Sequence, residues 1–291
     1  MGLRKRRRSK TGQMILSFNW IFVLIAGTMI LLFFVAIIMK QKTVSEQKLN
    51  FDIITVMDSI LTGSTVSERT INFVDISGLA GFELYFECEL DDGGGFDDLF
   101  SQYGITGSTA SSELPMQVLF APATMEGTEM ITWSLPYNMP YKVMDLLMVT
   151  STSIKYYVIG GEGGEFRTDL ENATDGFTME FISDVSEISS PGDLYHVRII
   201  DLDGGVLVDG GPIPDALLEA EQGIVSGVLL SQSLSDVDYY SQDGDSWERI
   251  TSAGSVPIIM TGLEEKDAAL YGALFSSDDE SYKCNMMKAF K

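Results

Sequence analysis

Few residues of this sequence could carry out chemistry, and they stand far apart. His196 is the single histidine, and Cys88 and Cys284 are the two cysteines. A zinc site needs three or four such ligands brought close together, and the G-x-S-x-G turn that marks a hydrolase nucleophile is missing. We therefore expect no catalytic residue, no metal site and no cofactor, in a protein that is not an enzyme.

Three loops resemble binding loops but have the wrong spacing. Residues 91–98 place four Asp around three glycines in a spacing that fits no calcium loop. Residues 160–164 read Gly-Gly-Glu-Gly-Gly, which lacks the lysine of a P-loop and places a carboxylate where phosphate would bind. Asp201 and Asp203 open an EF-hand pattern, yet Pro212 occupies the position of its bidentate glutamate. None of the three predicts a ligand site.

Polar and apolar residues alternate along the predicted strand that contains His196. His196 shares a face with Arg198, while Val197 and Ile199 point the other way. This alternation predicts that His196 and Arg198 are polar surface residues.

The covalent chemistry of three further residues depends on the compartment in which the protein works. In an oxidising exterior Cys88 and Cys284 are candidates for a disulfide, although two free buried thiols fit the sequence equally well. Asn172 opens the sequon Asn-Ala-Thr, which is usable for glycosylation only outside the cytoplasm.

The strongest signal lies in the first forty residues. Residues 14–39 contain no charged residue and no proline, and a helix of that length is about 39 Å long, enough to cross a hydrocarbon core of about 30 Å. A basic cluster precedes this stretch: Arg4, Lys5, Arg6, Arg7, Arg8 and Lys10. Because positive charge favours the cytoplasmic side, we expect a single-pass membrane anchor with its N-terminus inside and the rest of the chain outside.

The junction between Gly12 and Gln13 leaves a second interpretation open. A cleaved secretory signal has an apolar region of about 7–15 residues, which is shorter than this one. The run Lys10-Thr11-Gly12-Gln13 before an apolar helix resembles instead the signal of archaeal type IV pilin-like proteins. That resemblance implies cleavage after Gly12, a new N-terminus at Gln13 and assembly through the helix.

The chain behind the anchor is strongly acidic. All 42 Asp and Glu residues follow Lys42, with only 11 of the 19 Lys and Arg residues. Such a surface repels nucleic acid and anionic lipid, so we expect no nucleic-acid partner. The carboxylates are dispersed, which favours solvation in a salty medium over cation binding. The expected partners are the lipid bilayer, other envelope proteins and further copies of this chain.

Residue patterns behind the anchor predict an α+β domain built on a mixed sheet. Helical periodicity reaches Gly63, either as a continuation of the anchor or after a restart at Thr43. Hairpin turns are expected at Asp203-Gly204 and Asp243-Gly244. Strands are expected at 70–76, 82–90, 116–120, 130–135, 154–159, 177–182, 194–200, 206–208, 238–240, 247–250 and 256–260. Helices are expected at 141–149, 266–275 and 282–291, and a loop at 101–112.

Three stretches resemble a group of uncharacterised archaeal single-pass membrane proteins, and their order and spacing match the whole chain. They are residues 16–22 (LSFNWIF), 143–151 (VMDLLMVTS) with Lys155-Tyr156-Tyr157, and 267–276 (DAALYGALFS) with Tyr282-Lys283-Cys284. The resemblance implies an archaeal envelope protein from a salt-loving host, whose natural chain continues past Lys291. It implies no activity and no functional residues.

These observations predict a membrane-anchored envelope protein with a structural or interaction-mediating role. The expected parts are a basic cytoplasmic tail (1–13), a transmembrane helix (14–39), an amphipathic helix or stalk (40–63) and an extracytoplasmic α+β domain (64–291). Two alternatives stay open. One is a pilin-like subunit processed after Gly12, and the other is a carboxylate-rich cation-binding sensor or exoenzyme.

Overall fold

The computed structural model of the protein begins with one long helix. Helix α1 (Thr11–Thr65) passes through Thr43 without a restart. The chain divides into two units, Met1–Asn50 and Phe51–Lys291. The structure describes residues 11–65, 70–79, 81–90, 99–114, 117–138, 141–189, 196–220, 223–231, 233–251, 254–258 and 266–290.

The N-terminal unit exposes an apolar helical surface. Its large apolar side chains between Trp20 and Met39 are 37–70 % exposed. The segment Trp20–Thr65 contains an 18-residue window with a mean hydropathy of 3.1, and none of that window is buried. By length and composition this helix can cross a membrane.

Strands of the C-terminal unit form three sheets among the described residues. Sheet I has the order β1 (Ile71–Asp75), β7 (Glu129–Asn138), β8 (Lys142–Ser151) and β5 (Val118–Phe120). Its β5–β8 pair is parallel and its other pairs are antiparallel. Sheet II is antiparallel, in the order β4 (Ser111–Glu113), β3 (Leu99–Ile105), β2 (Leu84–Leu90) and β6 (Thr124–Met125).

Sheet III is mixed. Its order is β10 (Met179–Ile182), β9 (Ile154–Ile159), β11 (His196–Asp201), β12 (Val225–Leu230), β13 (Asp236–Asp243) and β14 (Ser246–Arg249), with β15 (Val256–Pro257) also paired to β13. The first four strands are parallel, and the remaining pairs are antiparallel. Helix α2 (Glu165–Ala173) connects β9 to β10, and α3 (Lys266–Phe275) and α4 (Asp279–Lys288) end the chain. The predicted α+β class with a mixed sheet is confirmed.

Sheet I lies in the middle of the C-terminal unit and is buried on both faces. One face, with Leu147, packs in a core with Met57 and Leu61 of α1 and with sheet II. The other face, with Leu146 and Met148, packs in a core with α3, α4 and sheet III. Each fully buried apolar side chain of this kind contributes about 1.5–3 kcal/mol to folding.

This double burial explains one wrong prediction. Residues 141–149 were expected to be a helix, but they belong to strand β8. A strand buried on both faces is a continuous apolar run without two-residue alternation, so its pattern does not distinguish it from a buried helix. The loop expected at 101–112 is also wrong, because most of β3 and the start of β4 lie there.

The two predicted hairpins had different outcomes. The turn at Asp243-Gly244 joins the antiparallel strands β13 and β14, as expected. The turn at Asp203-Gly204 is not a hairpin, because β11 pairs in parallel with β9 and β12. Residues 206–208 form no strand and belong to a long loop whose Leu207 is buried against sheet III.

Candidate functional site

Sheet III contains a point where the strand order reverses. From β9 the chain passes through α2 to β10 on one side, and then returns to β11 on the other side of β9. Ligands of open parallel sheets bind outside the carboxyl ends of the strands at such a reversal. A ligand site is therefore expected at the loops that follow β9, β10 and β11.

The glycine run after β9 is closely packed. Gly160 has a φ of +80°, and a Cβ atom on it would lie 2.5 Å from Oδ2 of Asp203 in the loop after β11. Arg167 of α2 donates hydrogen bonds to the carbonyl oxygens of Gly160 and Ile182. Glycine is needed here because two loops approach closely, which is a packing role and not the phosphate cradle of a P-loop.

An open cleft of about 590 Å³ is lined by the loops that follow β10 and β11. Val185 and Ile188 line it from the first loop, and Val206, Val208 and Pro212 line it from the second. Its volume falls in the range of about 300–1,000 Å³ that is typical of ligand pockets. This cleft is the candidate functional site, and we call it the apolar cleft.

The first wall of the apolar cleft is fixed by a capping box. The Asp184 carboxylate accepts a hydrogen bond of 2.8 Å from the N–H of Ser186, and the Glu187 carboxylate accepts from the N–H groups of Ser183 and Asp184. These bonds close the short 3-10 turn Val185–Glu187. The hydrogen bonds from Ser186 also hold the pKa of Asp184 below its usual value.

The second wall is organised by one buried carboxylate. Asp201 is 1 % exposed, and its Oδ1 accepts hydrogen bonds from the N–H groups of Asp203 and Gly204 at 3.1 and 2.8 Å. Its Oδ2 accepts from Val206 and Leu207 at 2.7 and 2.9 Å. Asp201 thus acts as the centre of a loop and does not open an EF-hand.

The far end of the same loop is tied to strand β14. The N–H of Gly210 donates to the carbonyl of Trp247 at 2.8 Å, and the N–H of Trp247 donates to the carbonyl of Gly211 at 2.9 Å. Pro212 forms a bridge to Ser246. Sequence reasoning missed this site. The signal that could have indicated it is the run Gly-Gly-Pro-Ile-Pro at 210–214, which is typical of a rigid loop.

The structure describes the two predicted processing residues but not the predicted topology residues. Gly12 and Gln13 are the second and third residues of α1. The basic residues Arg4, Lys5, Arg6, Arg7, Arg8 and Lys10, and the acidic loop 91–98, lie outside the described residues.

Cys88 and Cys284 are joined in a disulfide. Cys88 lies on β2 and Cys284 on α4, with their Cα atoms 5.7 Å apart.

Asn172 lies in the last turn of α2 and is exposed, while the Thr174 hydroxyl is buried and donates to the Leu170 carbonyl at 2.7 Å. Glycosylation at Asn172 stays a prediction.

His196 and Arg198 are not the surface residues that strand alternation predicted. Arg198 is 3 % exposed, donates to the Ser276 carbonyl and lies 5.9 Å from the ring centre of Tyr239. His196 is partly buried, with Nε2 2.8 Å from Oγ of Ser226. Their face of β11 is also the face of Ile200, which packs in a core with α3 and α4.

Buried surroundings make His196 a weak base. Loss of water contact, and then the positive charge of Arg198, lower the pKa of His196 to about 4. A general base works best with a pKa near the working pH, so the contact with Ser226 is poorly suited to activate a nucleophile at neutral pH. Among the described residues, no group of three or more His, Cys, Asp or Glu side chains is arranged to hold a metal ion.

Comparison with known proteins gives no assignment by similarity. No family model, curated protein or solved structure matches this chain. The features that bear on function are the apolar helix α1, the disulfide and the apolar cleft.

Proposed function

We propose that this protein is a single-pass, membrane-anchored protein of an archaeal cell envelope, with a non-catalytic interaction role for the unit Phe51–Lys291. The observation that carries the proposal is the apolar surface of α1 between Trp20 and Met39, whose large side chains are 37–70 % exposed. Exposed apolar patches larger than a few hundred Å² are rare on soluble monomers. A bilayer is the environment in which such a helix is stable.

Two independent arguments support an orientation with the C-terminal unit outside. Six Lys and Arg residues precede the apolar stretch, and Lys40, Lys42 and Lys48 follow it, so the charge bias favours a cytoplasmic N-terminus. The Cys88–Cys284 disulfide lies in the unit on the other side of the span. Disulfides persist mainly in oxidising compartments, which supports the same orientation.

The topology is testable by protease protection. In intact cells, protease added outside is expected to degrade the C-terminal unit and to leave an epitope at the N-terminus intact. Neutralising the six basic residues before the span should produce a population in which the C-terminal unit is protected. Neutralising Lys40, Lys42 and Lys48 is the matched control and should leave the orientation unchanged. Release of the wild-type protein from membranes by alkaline carbonate would overturn the proposal.

A pilin-like subunit is the second candidate, because α1 runs without interruption from Thr11. In this case the mature protein begins with the apolar helix, and assembly occurs through that helix. N-terminal sequencing of protein from native membranes separates the two candidates. A start at Gln13 supports the pilin-like subunit, and a start at Met1 or Gly2 rejects it.

A further inference from the structure

The apolar cleft lies in a region of the chain that is almost without positive charge. Between Arg167 and Arg249 the sequence contains 18 Asp and Glu residues and a single Lys or Arg residue, Arg198. Arg198 is buried and engaged with the Ser276 carbonyl. The two flanking arginines are also engaged, Arg167 with carbonyl oxygens and Arg249 with the Asp238 carboxylate.

The rim carboxylates are four exposed Asp and Glu residues that line the cleft or stand next in sequence to residues that line it. Asp184 and Glu187 are exposed on the loop after β10, and Asp209 and Asp215 are exposed on the loop after β11. Asp215 itself lines the cleft. Clefts lined by one sign of charge concentrate the opposite charge, so anionic ligands such as nucleotides or fatty acids are repelled here.

Aliphatic side chains are accessible in the lining of the cleft. Val208 is 51 % exposed, and Val206 and Pro212 are also accessible at its surface. No aromatic ring is among the described residues that line the cleft, so it lacks the aromatic cage by which proteins recognise quaternary ammonium groups. The complementary ligand has an apolar part beside separate positive charges.

We propose that the apolar cleft binds a peptide segment of a partner protein that places an aliphatic side chain on Val206 and Val208 and lysine or arginine against the rim carboxylates. The capping box at Asp184 and the four hydrogen bonds to Asp201 fix both walls in advance, which lowers the ordering cost of binding. This inference goes beyond the proposed anchoring and does not depend on the orientation of the protein in the membrane.

The test uses the full chain in nanodiscs of zwitterionic lipid, with empty nanodiscs as background. The probe is a fluorescent peptide Lys-Lys-Leu-Pro-Val-Lys-Lys, and binding is followed by fluorescence anisotropy. Two matched peptides separate the contributions of charge and of apolar contact to binding. Glu-Glu-Leu-Pro-Val-Glu-Glu reverses the charge, and Lys-Lys-Ser-Gly-Ser-Lys-Lys removes the apolar part. The first peptide is expected to bind at least tenfold more tightly than either control, and its affinity should fall as salt increases.

Two substitutions locate the binding site. Val208→Arg places a bulky positive charge in the cleft and should weaken binding at least tenfold, whereas Val143→Arg is a matched control on β8 with a similar exposure of 48 %. Asp215→Asn removes one rim charge and should weaken binding about threefold, with the exposed Asp175→Asn as its control.

The outcomes decide the proposal directly. Equal loss of affinity in both Val→Arg variants, or equal binding of the acidic peptide, would overturn it. If light scattering shows that Val208→Arg converts an oligomer into a monomer, the occupant is a second copy of the chain, and the proposal is wrong. Failure of the peptide Lys-Lys-Leu-Pro-Val-Lys-Lys to bind would overturn this proposal, and an intact topology would leave the anchoring proposal standing.

Discussion

The sulfur atoms of Cys88 on β2 and Cys284 on α4 are bonded, so the last helix is covalently held to a strand 196 residues earlier in the chain. Two hydrogen bonds also join α4 to β5 and to the residue before it. The Leu119 N–H donates to the Asn285 side chain at 3.2 Å, and the Lys288 ammonium donates to the Gln117 carbonyl at 2.6 Å. Burial lowers the pKa of Lys288 to about 8.

We expect removal of this disulfide to cost stability. A cross-link that closes so long a loop restricts the unfolded chain, and losing a native disulfide typically costs about 2–5 kcal/mol. Thermal unfolding of the Cys88→Ser/Cys284→Ser double variant measures the loss. Reductant should lower the melting temperature of the wild type and leave the double variant unchanged. Equal melting temperatures of the two proteins without reductant would contradict the prediction.

His196 should make the protein less stable in mild acid. Its pKa is about 4 in the folded state and about 6.5 in an unfolded chain. As the pH falls below 6.5 the unfolded chain takes up a proton first, so stability present above pH 6.5 is lost between pH 6.5 and 4, by about 1–3 kcal/mol. Because His196 is the single histidine, its imidazole NMR signal gives the pKa directly.

The matched variant for this prediction is His196→Gln, which keeps a hydrogen-bonding side chain beside Ser226 and does not titrate. Its unfolding free energy should fall less than that of the wild type between pH 7 and pH 5. A measured pKa of His196 near 6.5 would refute the prediction.

Gly272 in α3 should not tolerate alanine. A Cβ atom there would lie 2.9 Å from two ring carbons of the fully buried Phe120. Overpacking of this kind costs about 1–3 kcal/mol, which exceeds the gain of about 1 kcal/mol that alanine brings to a helix. Gly63 in α1 has no atom within 4 Å of the same position. Denaturant unfolding should therefore show loss of stability in Gly272→Ala and a small gain in Gly63→Ala.

Asp201→Asn should loosen the wall of the apolar cleft. An amide has one acceptor oxygen, so two of the four backbone N–H groups that Asp201 holds would face an NH₂ group instead. Buried donors without a partner cost about 1–3 kcal/mol each. Hydrogen exchange should become faster at Val206 and Leu207, and the exposed Asp175→Asn serves as the control. Unchanged exchange at these two amides would show that the carboxylate does not hold the loop.

Local patterns predicted several elements correctly, and failed for a strand whose two faces are covered by distant parts of the chain. The strand expected at 82–90 is present as β2 (Leu84–Leu90), and the helix expected at 266–275 is α3 (Lys266–Phe275). Strand β8 was mistaken for a helix because sheet II with α1 covers one face of sheet I, and α3 with α4 covers the other. No pattern within residues 141–149 contains that information.

The site was harder to predict for the same reason. Arg198 alternates with apolar neighbours like a surface residue, and its burial depends on α3 and on Ser276 beyond it. The walls of the apolar cleft come from loops that follow β10 and β11, which are not adjacent strands. Only the parallel order of β10, β9 and β11 brings them to the same edge, and that order is a long-range property of the chain.

The end of α1 sets where this protein can be cut without losing its fold. Ile53, Met57 and Leu61 are buried in a core with sheet II, so residues 51–65 belong to the folded unit and are not a spacer. A protease that shed the unit from a membrane would have to act before Phe51 to leave this core complete. Cleavage after Thr65 would release a fragment that lacks part of its own core, and quality-control proteases would rapidly remove it.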